Sequence, residues 1–479
     1  MLSEVLHALH PAAFVNLLVG LLGAIVGSFL NVVIYRLPRG MSVMKPSRSF
    51  CPDCRTPIRA RHNIPILSWL MLRGRCFSCR GPIPLRYPLV EACCALIFVT
   101  VWDQLFLAGT LPGKMNLPRD WPLQVGYFTL FACLLAASVM DIDTYTLDIR
   151  VCVLAMVGGA AAHTARGLSS TPLGTLPPAL CAIGAAMGLT WLLVWIAVLV
   201  FSRRATNGSD DDSTDDGHES EERQESPAAE SFAPAPAILM SVLIVALVGW
   251  QIVAPDWPEG LRLSGGGIRG LVAFMVLFFM LILTGWSAKP VDSEILEELA
   301  ETQPSARRIA FVELLWLMPS LTVGIALFAW LRSRNLLGAN WSEVTRQPWL
   351  PHWLMIHCAG LVFSVGSLVW GAALGWTVRI LGTFAFGKEA YGTGDIYLMA
   401  AIAAVAGIWN CFLGFFAAAL LALVGIAIIM IKRTRRAIPF GPWLALGSFL
   451  LLVLERPMLD FFSAAGSTLW NVIQGRGLH

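Results

Sequence analysis

The chain has 479 residues, of which 56% are hydrophobic and 14% charged, and its formal net charge is +3. Its apolar residues gather in blocks of the length a helix needs to cross a bilayer core, roughly 20 residues, which excludes a soluble globular domain and makes the lipid bilayer its main surroundings. So small a net charge gives no basis for a nucleic-acid partner, and the placement of the charges says more than their sum.

The first apolar block runs from about Ala13 to Tyr35 with no Lys or Arg before it, whereas a secretory signal peptide opens on a basic stretch. It reads as a retained first helix. Residues 36–86 then carry eleven Lys or Arg against one acidic residue, Asp53, which by the positive-inside rule sets this loop in the cytoplasm and the N-terminus outside. Further apolar blocks lie near 87–108, 124–140, 151–163, 178–201, 236–254, 270–288, 309–331, 352–378, 396–408, 410–431 and 439–455. The expectation is an all-α polytopic membrane protein of about twelve spans, the blocks at 151 and 396 being the shortest. Alternate crossing places Asp141 to Arg150, the stretch around Asp395 and the basic run Lys432 to Arg436 on the cytoplasmic side. It also puts the loop 332–351 outside, against the charge rule, because that loop holds Arg332, Arg334 and Arg346.

Residues 206–231 contain ten acidic residues, one Arg and no bulky apolar side chain. Such a segment cannot bury enough surface to fold, so it reads as a solvated linker, with docking of a basic partner as the second reading. Residues 289–308 form another polar connection, and no internal repeat of 20 to 50 residues stands out.

Of the eleven cysteines, Cys93, Cys94, Cys133, Cys181 and Cys411 fall inside apolar blocks and Cys152 and Cys358 at block edges, where Cys acts as a small hydrophobe. The other four form two CxxC pairs, Cys51-Pro-Asp-Cys54 and Cys76-Phe-Ser-Cys79, separated by 21 residues in the basic loop. That spacing presents four thiolates tetrahedrally to zinc, and a loop with so little apolar content needs a metal as its organising element. Four ligands fill the coordination shell, so the zinc is structural. No thioredoxin-like pattern supports a redox CxxC.

Asp141, Asp143 and Asp148 follow directly on the apolar run that ends at Met140, and Asp395 lies in Tyr391-Gly-Thr-Gly-Asp-Ile-Tyr between two apolar blocks. Carboxylates at membrane depth are costly and line polar cavities or carry function. Gly392 and Gly394 clear space beside Asp395 for close helix approach or for a substrate strand. Two carboxylates that meet within a few Å do not both ionise easily, so one stays protonated while the other activates water. The residues alone leave that chemistry and a structural role, capping helices or pairing with Arg150 and Lys388, equally open.

Four motifs then decide. They are Gly27-Ser-Phe-Leu-Asn-Val-Val-Ile-Tyr-Arg-Leu-Pro38; the cysteine loop with Asn63-Ile-Pro-Ile-Leu-Ser-Trp69 inside it and Arg86-Tyr-Pro-Leu-Val-Glu91 after it; Gly392-Thr-Gly-Asp395; and Ile438-Pro-Phe-Gly-Pro-Trp-Leu444. In these, and in their order, the chain closely resembles the bacterial prepilin peptidase family, which matures type IV prepilins and pseudopilins. The resemblance implies a GxGD-type aspartic endopeptidase of the bacterial inner membrane, cutting a short basic leader after a glycine at the cytoplasmic face. It implies Asp395 and Asp141 as the catalytic pair, with Asp143 as the fallback. Longer members also N-methylate the new amino terminus with S-adenosylmethionine; no site for that cofactor is readable in the residues.

The chain departs from the family pattern where Leu147-Asp148 replaces Ile-Pro, and where Tyr397 replaces the usual Lys. The aspartates also stand 254 positions apart, several times the usual interval. An organisation follows: a first transmembrane helix at 1–36, a cytoplasmic zinc-binding loop at 37–86, membrane core at 87–164, an inserted segment at 165–350 that includes the acidic linker 202–235, and membrane core again at 351–479. About four inserted spans on an eight-helix family core return the chain to the same side. The partner of the insertion is unknown. The competing readings are a catalytically inactive scaffold for pilus or type II secretion assembly, which the two departures favour, and an ion-relaying transporter, which would place carboxylates at span centres and show inverted repeats.

Overall fold

The computed structural model describes residues 11–46, 48–107, 116–144, 147–168, 176–206, 265–285, 306–346, 350–432 and 439–454, with a few helical positions between 244 and 248. Among these residues the structure is helical, with no strand beyond two isolated β-bridges in the cysteine loop. Helices satisfy every backbone donor and acceptor internally, which apolar surroundings require. Apart from two five-residue helices, Leu67–Met71 and Trp341–Thr345, the α-helices in chain order are α1 (Pro11–Arg36), α2 (Arg86–Trp102), α3 (Leu117–Thr144), α4 (Ile149–Arg166), α5 (Pro178–Thr206), α6 (Gly265–Gly285), α7 (Ala306–Ser333), α8 (His352–Phe386), α9 (Thr393–Ala406), α10 (Ile408–Lys432) and α11 (Gly441–Leu454).

Seven of the described helices, α1, α2, α3, α5, α7, α8 and α10, are long and apolar enough to cross a membrane. The described parts of α6, α9 and α11 are apolar but shorter. Helix α4 reaches 18 residues, yet Arg150, His163 and Arg166 dilute its apolar character. The count of about twelve is therefore approached and not reached among the described residues. The expected span at 236–254 lies almost wholly outside them, as do the acidic linker, the polar connection at 289–305 and most of the basic run after Lys432.

Helix α2 is the centre of the bundle. Leu89, Val90, Cys93, Cys94 and Leu96 are all fully enclosed, which is the behaviour of a helix apolar on every side. It packs on α1, α3 and α6, while α9 lies among α3, α4, α8 and α10. Cys93, Cys94, Cys133, Cys152, Cys181 and Cys411 are buried as small hydrophobes; Cys358 is exposed. Helices α5 and α7 are the opposite case. They expose Leu189, Leu193, Trp195, Phe311, Leu315 and Ile325, a surface that water does not tolerate at this size and lipid chains do.

One end of the bundle collects the polar features. There α1 ends and α2 begins on either side of the cysteine loop, α3 ends at Thr144, and α9 begins at Thr393. Helix α11 also starts at this end: its Trp443 packs directly on Gly425 of α10, which continues from there to Lys432.

Candidate active site and metal centre

Asp141 occupies the last turn of α3 and Asp395 the first turn of α9, whose N-cap is Gly392. The two carboxyl groups lie near enough to interact electrostatically. Leu147, in the connection between α3 and α4, lies over Gly394, where an added Cβ would come within 3.0 Å of the leucine Cβ. Only a glycine lets that connection close onto the turn carrying Asp395. From the far end of the sequence, the Gly441 N–H donates to Asp141 Oδ2 at 3.2 Å. A Cβ on Gly441 would stand 2.8 Å from that oxygen, so a larger residue here would push the carboxylate aside.

Asp143 faces elsewhere. Two residues along a helix turn the side chain by about 200°, and the Asp143 carboxylate meets the Arg86 guanidinium at the start of α2 in a close ion pair. Asp148, outside the span, is the N-cap of α4: its Oδ1 accepts the Arg150 N–H at 2.9 Å. The Arg150 guanidinium also binds it, and this pairing holds the Asp148 carboxyl below the usual carboxylate range. Leu147-Asp148 thus starts α4 with a side-chain cap where the family pattern uses the fixed φ of proline. Tyr397 is half-buried against the apolar core and brings no cation.

In the cysteine loop the same turn is built twice. Arg55 N–H donates to Cys51 O and Arg80 N–H to Cys76 O, while Cys51 N–H and Cys76 N–H donate to Thr56 O and Gly81 O. Arg55 and Arg80 close the two turns with φ of 56° and 61°, a region non-glycine residues enter rarely. The four Sγ atoms of Cys51, Cys54, Cys76 and Cys79 lie within 4.8 Å of one another, with Cys51 and Cys79 at 3.9 Å. A tetrahedral zinc–thiolate site has sulfur–sulfur edges of about 3.8 Å, so the four residues fit a structural zinc. The Thr56 hydroxyl brings the Cys54 thiol down to about 6, whereas burial pushes Cys51 up to about 12. The loop is tied to the helices by Arg36, which donates to Val43 O and Pro46 O at 2.9 Å each, and by Glu91 of α2, which accepts the Ile66 N–H at 2.6 Å.

Among the described residues no comparable donor set for S-adenosylmethionine is identified. A cavity of about 880 Å³ between α5 and α7 is walled by Trp191, Trp195, Trp316 and Trp376. Its carboxylate, Glu313, is bound by Arg379.

Residues 21–105 match the family described as Bacterial Peptidase A24 N-terminal domain. A leader peptide-processing enzyme for type 4 prepilin-like proteins from Escherichia coli O78:H11 (strain H10407 / ETEC) is 36% identical over 223 residues, covering 42% of this chain and 74% of that protein. This chain belongs to the prepilin leader peptidase family. Prepilin leader peptidase/N-methyltransferases from Pseudomonas putida and Aeromonas hydrophila are each 33% identical, covering 71% and 73% of their own lengths. No solved structure matches.

Within the prepilin peptidase motifs, sequence reasoning gave no role to Arg86, which engages Asp143, or to Gly441, which engages Asp141. Both stand in segments that carried the resemblance, so the signal was present without its meaning. Arg379 and Glu313 were missed altogether. Arg379 is the lone Lys, Arg, Asp or Glu of a 35-residue apolar helix, a costly placement that signals a partner, and Glu313 is the one acidic residue of α7.

Proposed function

We propose that this chain is a membrane aspartic endopeptidase that removes the basic leader of type IV prepilins and pseudopilins after a glycine, with Asp141 and Asp395 as its catalytic pair. The observation that carries the reading is that these two carboxyl groups, 254 positions apart in sequence, come near enough to interact electrostatically, while Asp143 is taken by Arg86. A shared proton leaves one carboxylate and one carboxylic acid. Asp141, fixed by the Gly441 N–H, takes a proton from a water held between the pair, and the oxygen attacks the carbonyl carbon of the leader's last residue. Asp395 gives its proton to the carbonyl oxygen. Collapse of the tetrahedral intermediate returns one hydroxyl proton to Asp395 and breaks the C–N bond as the proton on Asp141 passes to the leaving amine.

In this reading the twelve spans comprise the eight-helix family core and an insertion at 165–350. The protein sits in the bacterial inner membrane with its N-terminus outside and the aspartates facing the cytoplasm, beside the zinc-bound loop. Methylation of the new N-terminus by S-adenosylmethionine rests on the relatives' name and on the resemblance, and no step is built on the residues described.

The test is co-expression with a prepilin whose basic leader ends in Gly-Phe. Wild type cuts it, and Asp141→Ala and Asp395→Ala leave it at full length. An uncut leader with wild type removes the peptidase reading, and processing by Asp395→Ala removes the site assignment.

A further inference from the structure

Arg379, seven residues before the end of α8, is buried although it carries a charge; only 5% of it is exposed. All three of its nitrogens are engaged. Nε donates to Glu313 Oε1 and Oε2 at 3.0 and 3.1 Å, and Nη2 to Glu313 Oε1 at 2.9 Å, a fork that fixes the guanidinium plane. Nη2 also reaches Glu389 at 3.1 Å. Nη1 donates to the Tyr391 carbonyl oxygen at 2.6 Å.

That carbonyl lies just before Gly392, the N-cap of the helix whose first turn presents Asp395. The Tyr391 ring packs edge-on against Phe415 and Phe440, and its hydroxyl lies 3.3 Å from Met399 Sδ. Arg379 fixes the backbone end of the same residue. Glu313 belongs to α7, within the segment the sequence sets apart as an insertion. The same helix touches the connection a second time, because a side chain on Gly387 would meet the Arg307 guanidinium at 3.6 Å.

We propose that Arg379 is a positioning residue that sets the backbone entering the Asp395 turn, and that Glu313 on α7 holds it in register, so that the inserted segment tunes leader cleavage. This rests on the reading of Asp395 as catalytic. Lys at position 379 keeps the charge but loses the fork, and Gln at position 313 keeps the shape but not the charge.

The experiment compares Arg379→Lys, Glu313→Gln and the exchange Glu313→Arg with Arg379→Glu. It follows leader cleavage and, separately, amide hydrogen exchange across residues 387–395. Losing one charge-assisted hydrogen bond predicts a fall in kcat of roughly 10- to 100-fold for Arg379→Lys, with KM unchanged because Arg379 is buried. Exchange of the 387–395 amides rises by a similar factor. The exchanged pair re-forms an ion pair between α7 and α8 and leaves cleavage low, because a carboxylate at 379 faces Glu389 and gives the Tyr391 carbonyl no donor. Recovery of cleavage in the exchanged pair reduces Arg379 to a structural clip and overturns the proposal. So does unchanged amide exchange in Arg379→Lys, whether or not the wild type cleaves, whereas a wild type that fails to cleave counts against the peptidase reading instead.

Discussion

The amide of Gly441 donates to the carboxylate of Asp141 across 300 positions of sequence. It ties the Ile-Pro-Phe-Gly segment near the end of the chain to the aspartate at the end of α3. A backbone donor cannot be removed by changing a side chain, but it can be pushed away. Gly441→Ala places a methyl 2.8 Å from Asp141 Oδ2, and the carboxylate has to move. Leader cleavage by this variant falls about 10- to 100-fold, read by prepilin processing, while zinc content is unchanged.

Asp141 and Asp143 part in their roles, and their substitutions part with them. Asp141→Asn abolishes cleavage, by at least about a thousandfold, and leaves the melting temperature of the purified protein near that of wild type. Asp143→Asn leaves Arg86 without its counter-charge and costs about 2 kcal/mol, a figure reduced because both side chains are over a fifth exposed. Its melting point drops while residual cleavage survives. Adding Arg86→Met to Asp143→Leu recovers the stability.

A pair that works with one proton between its members gives a bell-shaped pH profile for cleavage. Asp141→Asn does not shift that bell; it flattens it to baseline. A single sigmoid with full activity at the alkaline end would mean that one carboxylate acts alone.

Asp148 provides a separate pH dependence, in stability. Its carboxyl is held below the usual value of 3.8 by Arg150, so its stabilising contribution is complete above that value and is lost as pH falls through the lower folded value. Asp148→Ala costs about 1 kcal/mol at pH 7 as a lost N-cap and less at an acid pH below the lowered folded value. Melting curves at the two pH values read the difference.

Changing Cys51 and Cys76 to Ser removes zinc from the purified protein, measured by metal analysis. It also opens the loop between Arg55 and Arg80 to trypsin, since both arginines sit in turns closed at positive φ that a bound zinc would hold together. Equal digestion rates in the variant and wild type would mean that the loop folds without metal.

What was legible in the sequence follows the range of each interaction. The cysteine pairs could be read because each knuckle is a local turn repeated at 51 and 76. Asp395 stood out through Gly392 and Gly394 beside it, and the capping of α4 by Asp148 is written in two adjacent residues. Asp141 against Asp143 could not be separated locally, because the helix face that each one uses is set by Arg86 and Gly441, 57 and 300 positions away. The Arg379–Glu313 pair was hidden for the same reason. Each residue declares that it needs a partner, but the register of α7 against α8 decides which.

Helix α9 is short and α10 is long, and both are joined at Gly407. With Trp443 on Gly425 marking the level near the aspartates, α10 still runs to Lys432, about 10 Å further at 1.5 Å per residue. The pair proposed as catalytic, Asp141 and Asp395, is therefore recessed below the tip of α10. A peptide reaching it in extended form covers about 3.3 Å per residue, so about three residues have to leave any helix they belong to. The local ease of uncoiling next to the scissile bond then becomes a selection rule, applied before any side chain of the substrate is read.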